Sequence, residues 1–136
     1  MFSSCSALEK VDGLSAESIS GYALSGMFSN CSSLTSVQDL YIDNREVKNT
    51  AVQKCDNMFN GCKSLLSVGG LIKGLYGQRQ IGYMFRNCKS LKDASKLSVE
   101  INYGQYYAMQ MFYGCSELES MPVLLSGEQG TSNFKY

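Results

Sequence analysis

The chain has 136 residues, 12 Lys+Arg balanced by 12 Asp+Glu, 44% hydrophobic residues and no histidine. Length and apolar content suit one domain with a real core, and zero net charge argues against a nucleic-acid or anionic-membrane partner, which would favour a basic surface. No apolar run approaches the roughly 18 residues that cross a bilayer, and no signal peptide is visible at the N-terminus.

The predicted elements follow an internal repeat. Met1-Phe2-Ser3-Ser4-Cys5 opens a pattern, MFxxCxxL, that recurs from Met27, Met58, Met84 and Met111 at intervals of 26, 31, 26 and 27 residues. Self-similarity at such a period marks a solenoid, in which each repeat stacks on the next because none buries its apolar face alone. One solenoid domain over 1–136 is therefore expected, with repeats 1–26, 27–57, 58–83, 84–110 and 111–136.

Within each repeat the spacing predicts a short helix and then an extended segment. The apolar residue three places before each MF pair (Leu24, Cys55, Ile81, Ala108), the pair itself and the cysteine lie at i, i+3, i+4 and i+7, one face of a helix. The residue before each cysteine is Ser4, Asn30, Gly61, Asn87 or Gly114. Asn and Gly accept the left-handed conformation that closes a helix, so the helical turn is expected to stop there. Beyond it, CxxLxxVxxL fits a short strand around Leu34 to Val37 and its equivalents, pairing in parallel with the next copy.

Stacking makes columns of equivalent residues. The predicted core ladder contains Met27 and Phe28, the cysteines Cys5, Cys31, Cys62, Cys88 and Cys115, and the leucines Leu34, Leu65 and Leu91. Further columns run through Val11, Val37, Val68, Ala94 and Met121, and through Leu14, Leu40, Leu71, Leu97 and Leu124. The cysteine column reads first as buried, reduced thiols, since free cysteine behaves as a small hydrophobe; paired neighbours or a reactive thiol are the alternatives. Cys55, beside the longest loop, is the thiol expected to react first. With no histidine and no CxxC pair, neither a zinc site nor any other cofactor is expected.

Two stretches depart from the repeat. The second copy carries five extra residues within Tyr41 to Asn49, as insertions on one flank of a solenoid do. The third has Gly69, Gly70, Gly74 and Gly77 around Leu75-Tyr76, which is turn chemistry without the basic residue and helix start of a phosphate loop.

The MFxxCxxL unit, returning about 26 residues later, resembles the BspA-type leucine-rich repeats of bacterial and protist surface proteins, in the variant with Met-Phe before xxC. The resemblance covers the whole chain. It implies an α/β repeat, a right-handed leucine-rich-repeat-like solenoid of five coils, each with a short parallel strand and a short helix. It also implies an extracellular or cell-surface location, a role in attachment or recognition, and no enzymatic activity. The regular second half of the family's repeat is missing here. No polar cap is evident over Met1-Phe2 or around Phe134, so the chain is expected to be part of a longer array or to meet neighbouring chains at its ends.

Function is expected from side chains that the core does not require. Glu9, Lys10, Thr35, Ser36, Leu66, Ser67, Lys92, Asp93, Glu119 and Ser120 read as a mixed, solvated face. Tyr103, Tyr106, Tyr107 and Tyr113 cluster across the fourth and fifth repeats, and tyrosine is enriched at recognition sites; covering the edge of the helical layer is the other reading. The sequence supports a non-enzymatic module that recognises a protein or glycan on another surface, with a structural or host-attachment component of a virion or appendage as the alternative. An enzyme is disfavoured, because no histidine is present as a general base and no carboxylate pair recurs at a fixed spacing.

Overall fold

After each CxxL the chain turns to small, β-branched and polar residues, and there strands form. The computed structural model describes residues 2–17, 23–43, 55–75, 81–101 and 110–126. Its strands are β1 (Lys10–Asp12), β2 (Ser15–Glu17), β3 (Ser36–Asp43), β4 (Ser67–Leu75), β5 (Asp93–Ile101) and β6 (Val123–Ser126). They make one sheet of order β1-β3-β4-β5-β6, with β2 also on β3, and every described pair is parallel. Val11 lies opposite Val37, and Val37 opposite Val68. Strand register therefore follows the spacing of the repeats.

The expected fold class is corrected by what precedes each strand. A right-handed leucine-rich-repeat-like solenoid of five coils, each with a short helix, does not form: there is no helix among the described residues. The reason lies in the backbone. Left-handed residues stand both before each Met-Phe pair and before each cysteine: Gly26 and Asn30, Asn57 and Gly61, Tyr83 and Asn87, Gln110 and Gly114, with φ between 53° and 77°. Only three residues separate the members of each pair, and a helix needs consecutive right-handed ones. The i, i+3, i+4, i+7 spacing is met by overlapping turns instead. In the third repeat Met58 N donates to Cys55 O, Asn60 N to Asn57 O and Cys62 N to Phe59 O, at 3.4, 3.1 and 3.2 Å.

The intervening amides point the other way. Asn57 N, Phe59 N and Gly61 N donate to Gly82 O, Met84 O and Arg86 O of the next repeat, at 3.1, 2.8 and 2.8 Å. Alternate N–H groups thus close a turn within the repeat or cross to the next one. Every amide from 57 to 62 has a partner, as a buried backbone requires. The same alternation runs through 26–31. Each repeat is a rib of turns continuing into a strand, and hydrogen bonds cross to its neighbour in both parts.

Packing follows the columns. Phe2, Phe28, Phe59, Phe85 and Phe112 form one stack with centroids 5.3 to 5.6 Å apart and planes within 8° of parallel. Leu34, Leu65 and Leu91 are fully buried beside it. The cysteine column does more than fill space. Cys31, Cys62, Cys88 and Cys115 each donate a thiol hydrogen to the carbonyl of Phe2, Phe28, Phe59 and Phe85, at 3.0 to 3.1 Å. All six cysteines are unbridged.

The last leucine column is also corrected. Leu40 lies opposite Gly70, and Gly70 opposite Leu97, while Leu71 pairs with Tyr41 and Leu124 with Val99. β3 carries one more residue than β4 between these points, absorbed at Asp39 with φ 52°, in the manner of a bulge. The slip brings β4 close to Leu40: a Cβ on Gly70, at φ +142°, would collide with the Leu40 backbone. The next inward column is Ile42, Ile72 and Val99, all fully buried.

Candidate recognition surface

The turns that replace the helix decide which side chains face outward. The residue two places after each Met, namely Ser3, Ser29, Asn60, Arg86 or Tyr113, sits in the middle of a rib and forms an outer row. Beside it runs a second row of left-handed residues, Gly26, Asn57, Tyr83 and Gln110.

In the second and third repeats these rows are satisfied within the chain. Ser29 Oγ donates to Asn60 O at 3.2 Å, and Asn60 Nδ2 donates to Asn57 Oδ1 at 2.9 Å. The fourth and fifth repeats differ. The Arg86 guanidinium lies over the ring of Tyr83 at 5.2 Å and over that of Tyr113 at 5.4 Å. Each such contact contributes about 0.5 to 2 kcal/mol, according to how far it is desolvated. Tyr113 remains 43% exposed.

Of the four tyrosines expected to recognise a ligand, Tyr113 is on this surface. Tyr103, Tyr106 and Tyr107 lie outside the described residues. Tyr83 and Arg86 were missed from sequence, although a signal existed: they occupy slots that the preceding repeats fill with Gly, Asn or Ser. An aromatic ring at a left-handed position is uncommon.

The outer face of the sheet carries a second polar cluster. Lys73 Nζ pairs with Asp43 Oδ2 at 3.3 Å and lies 5.2 Å over the Tyr41 ring, while Tyr41 donates its hydroxyl to the same Asp43 oxygen at 3.2 Å. These groups answer one another across β3 and β4. At the start of β5, Asp93 Oδ1 accepts from Ser120 Oγ at 2.6 Å and from Ser95 N at 2.8 Å. Those bonds hold the Asp93 carboxyl down at about 2.

The thiols divide by position. Cys31, Cys55, Cys62 and Cys88 are buried, whereas Cys5 and Cys115 are half-buried. Burial pushes the Cys62 thiol up to about 12, leaving it protonated near neutral pH. Cys55, expected to react first, is fully buried, because its side chain packs inward three residues before Met58. Among the described residues no group of three His, Cys, Asp or Glu side chains is placed to hold a metal ion, and no helix is long and apolar enough to cross a membrane. Comparison of the chain with protein-family models, curated proteins and solved structures finds no match.

Proposed function

We propose that this chain is a non-enzymatic recognition module, working at a cell surface or in secreted form, that binds a protein or glycan through the turn surface of its fourth and fifth repeats. The observation that carries this reading is the Tyr83, Arg86 and Tyr113 cluster. It puts two aromatic side chains and a cation where the stacking of repeats needs neither, and Tyr and Arg are the residues enriched in interface hot spots. The resemblance of the MFxxCxxL repeat to BspA-type surface proteins supports the location and the adhesive role.

The test is a screen of cell-surface proteins and glycans against the native chain, followed by Tyr113→Ala and Tyr83→Ala in the binding assay. Hot-spot truncation is expected to lower affinity by about thirtyfold, the equivalent of about 2 kcal/mol, with circular dichroism unchanged. Undiminished binding in both variants would remove this surface as the site. The alternative, a structural or host-attachment component of an assembly, draws on the 54% exposure of Phe2 and on the place of β1 and β2 at one edge of the sheet formed by the described residues. Mass measurement of the native particle separates the two.

A further inference from the structure

We propose that the Arg86 guanidinium, held between the rings of Tyr83 and Tyr113, is the anchor for a carboxylate of an acidic polypeptide ligand. The inference rests on the recognition reading above and names the chemistry of its ligand. Three observations lead to it.

The first is that Arg86 is paired with no anion among the described residues. The ion pairs among the described residues join Lys73 to Asp43 and Lys92 to Glu117, and Arg86 Nε is buried with no hydrogen-bond partner. The side chain as a whole is half-buried, and its terminal nitrogens are not among the buried atoms that lack a partner. A guanidinium carries five donors in a fixed plane, and here its contacts are two ring faces.

The second is preorganisation. Rings at 5.2 and 5.4 Å clamp the guanidinium, so much of the side-chain entropy that an arginine loses on binding is already lost. With Nε covered, the fork open to a ligand is the pair of terminal nitrogens, whose geometry matches the two oxygens of a carboxylate. The third is the surroundings. The outer-row neighbours are Asn60 and Tyr113, and the adjacent row supplies Asn57, Tyr83 and Gln110; none is acidic. A carboxylate arriving here meets a cation and neutral groups in both rows, and the Asp56 carboxylate that accepts from Asn57 Nδ2 is buried.

A peptide is favoured over an acidic sugar by the use made of the rings. Sugars stack on open aromatic faces, but Tyr83 and Tyr113 each spend a face on Arg86. An aspartate or glutamate side chain needs only the fork between them.

The experiment uses the intact chain labelled with nitrogen-15 and follows the Arg86 Nε–H signal by NMR. The probe is acetyl-Gly-Asp-Gly-amide, with acetyl-Gly-Asn-Gly-amide, glucuronate and glucose as comparisons. The expected result is a saturable shift with the aspartyl peptide, weakened by added salt, and none with the asparaginyl peptide or glucose. Arg86→Lys keeps the charge but loses the planar fork, and is expected to bind about tenfold more weakly. An aspartyl titration that leaves Arg86 Nε–H unmoved overturns the proposal, as does an equal response to the asparaginyl peptide. Saturation by glucuronate at lower concentration than the aspartyl peptide overturns the choice of a peptide. The decisive titration is done on the unaltered chain, so a variant that fails to fold does not blunt it. Should the peptide not bind while Tyr113→Ala still weakens a ligand found by the surface screen, the anchor fails and the recognition module stands.

Discussion

At the scale of single residues, Cys31, Cys62, Cys88 and Cys115 of the stacked column are both apolar fillers and hydrogen-bond donors. Phe28 O accepts from Cys31 N at 3.3 Å and from Cys62 Sγ at 3.1 Å, so the thiol occupies the second lone pair of a carbonyl already engaged in a turn. Cys62→Ala removes a net hydrogen bond and leaves a small cavity, and is expected to destabilise by about 1 to 3 kcal/mol in a denaturant titration. Thiol labelling of the native protein should begin at Cys5 and Cys115, with Cys31, Cys55, Cys62 and Cys88 reacting only as the protein unfolds. Fast reaction at Cys62 would contradict its burial. Glycine offers a second comparison at this scale. Gly13 and Gly70 both have positive φ, but a Cβ on Gly13 meets nothing within 4 Å, whereas one on Gly70 runs into the Leu40 backbone. Gly13→Ala should cost about 1 to 2 kcal/mol, the left-handed penalty, and Gly70→Ala clearly more, read from the same denaturant curves. The buried columns of Phe, Cys and Leu were legible because they recur in every copy. Gly70 was not, because its need comes from a slip between two strands that no single repeat reveals.

At the scale of elements, the rib of turns is where sequence periodicity and structure part. Apolar residues at i, i+3, i+4 and i+7 describe a helix face, yet three overlapping turns place the same residues inward. The left-handed residue before each cysteine was foreseen, and its role as a helix terminator was not fulfilled. The second left-handed residue, before each methionine, is Gly26, Asn57, Tyr83 or Gln110. Tyrosine and glutamine at that position do not announce a left-handed φ, which explains why the helix looked plausible. Asp93 gives this scale its pH dependence. Its folded pKa lies at about 2, below the ordinary 3.8, chiefly through the Ser120 hydroxyl and then through Ser95. A depressed carboxyl stabilises the fold above its unfolded pKa and loses that contribution as pH falls toward the folded one. Melting temperatures of the native chain and of Asp93→Asn should therefore differ at pH 7 and converge between about 4 and 2. A constant gap across that window would show that the carboxylate is not what joins β5 to Ser120.

At the scale of the whole molecule, the phenylalanine stack makes stability depend on position. Phe59 and Phe85 are fully buried between neighbours on both sides, while Phe2 is 54% exposed. Phe59→Ala is expected to cost about 3 to 5 kcal/mol and Phe2→Ala far less, with thermal melting as the measure; equal losses would mean that the stack is not continuous. Sequence alone determined that the chain is built of five similar units, that the phenylalanines, the cysteines and the first leucines stack in columns, and that consecutive units pair in parallel, because repetition forces equivalent positions to stack; the last leucine column it misplaced. Tertiary structure decided the rest. Whether a three-and-four spacing becomes a helix or a chain of turns depends on where alternate N–H groups find carbonyls, and those carbonyls belong to the neighbouring repeat. The clamp of Tyr83 and Tyr113 on Arg86 arises in the same way, since Tyr113 lies 27 residues beyond Arg86 and meets it only once the fifth rib is laid on the fourth.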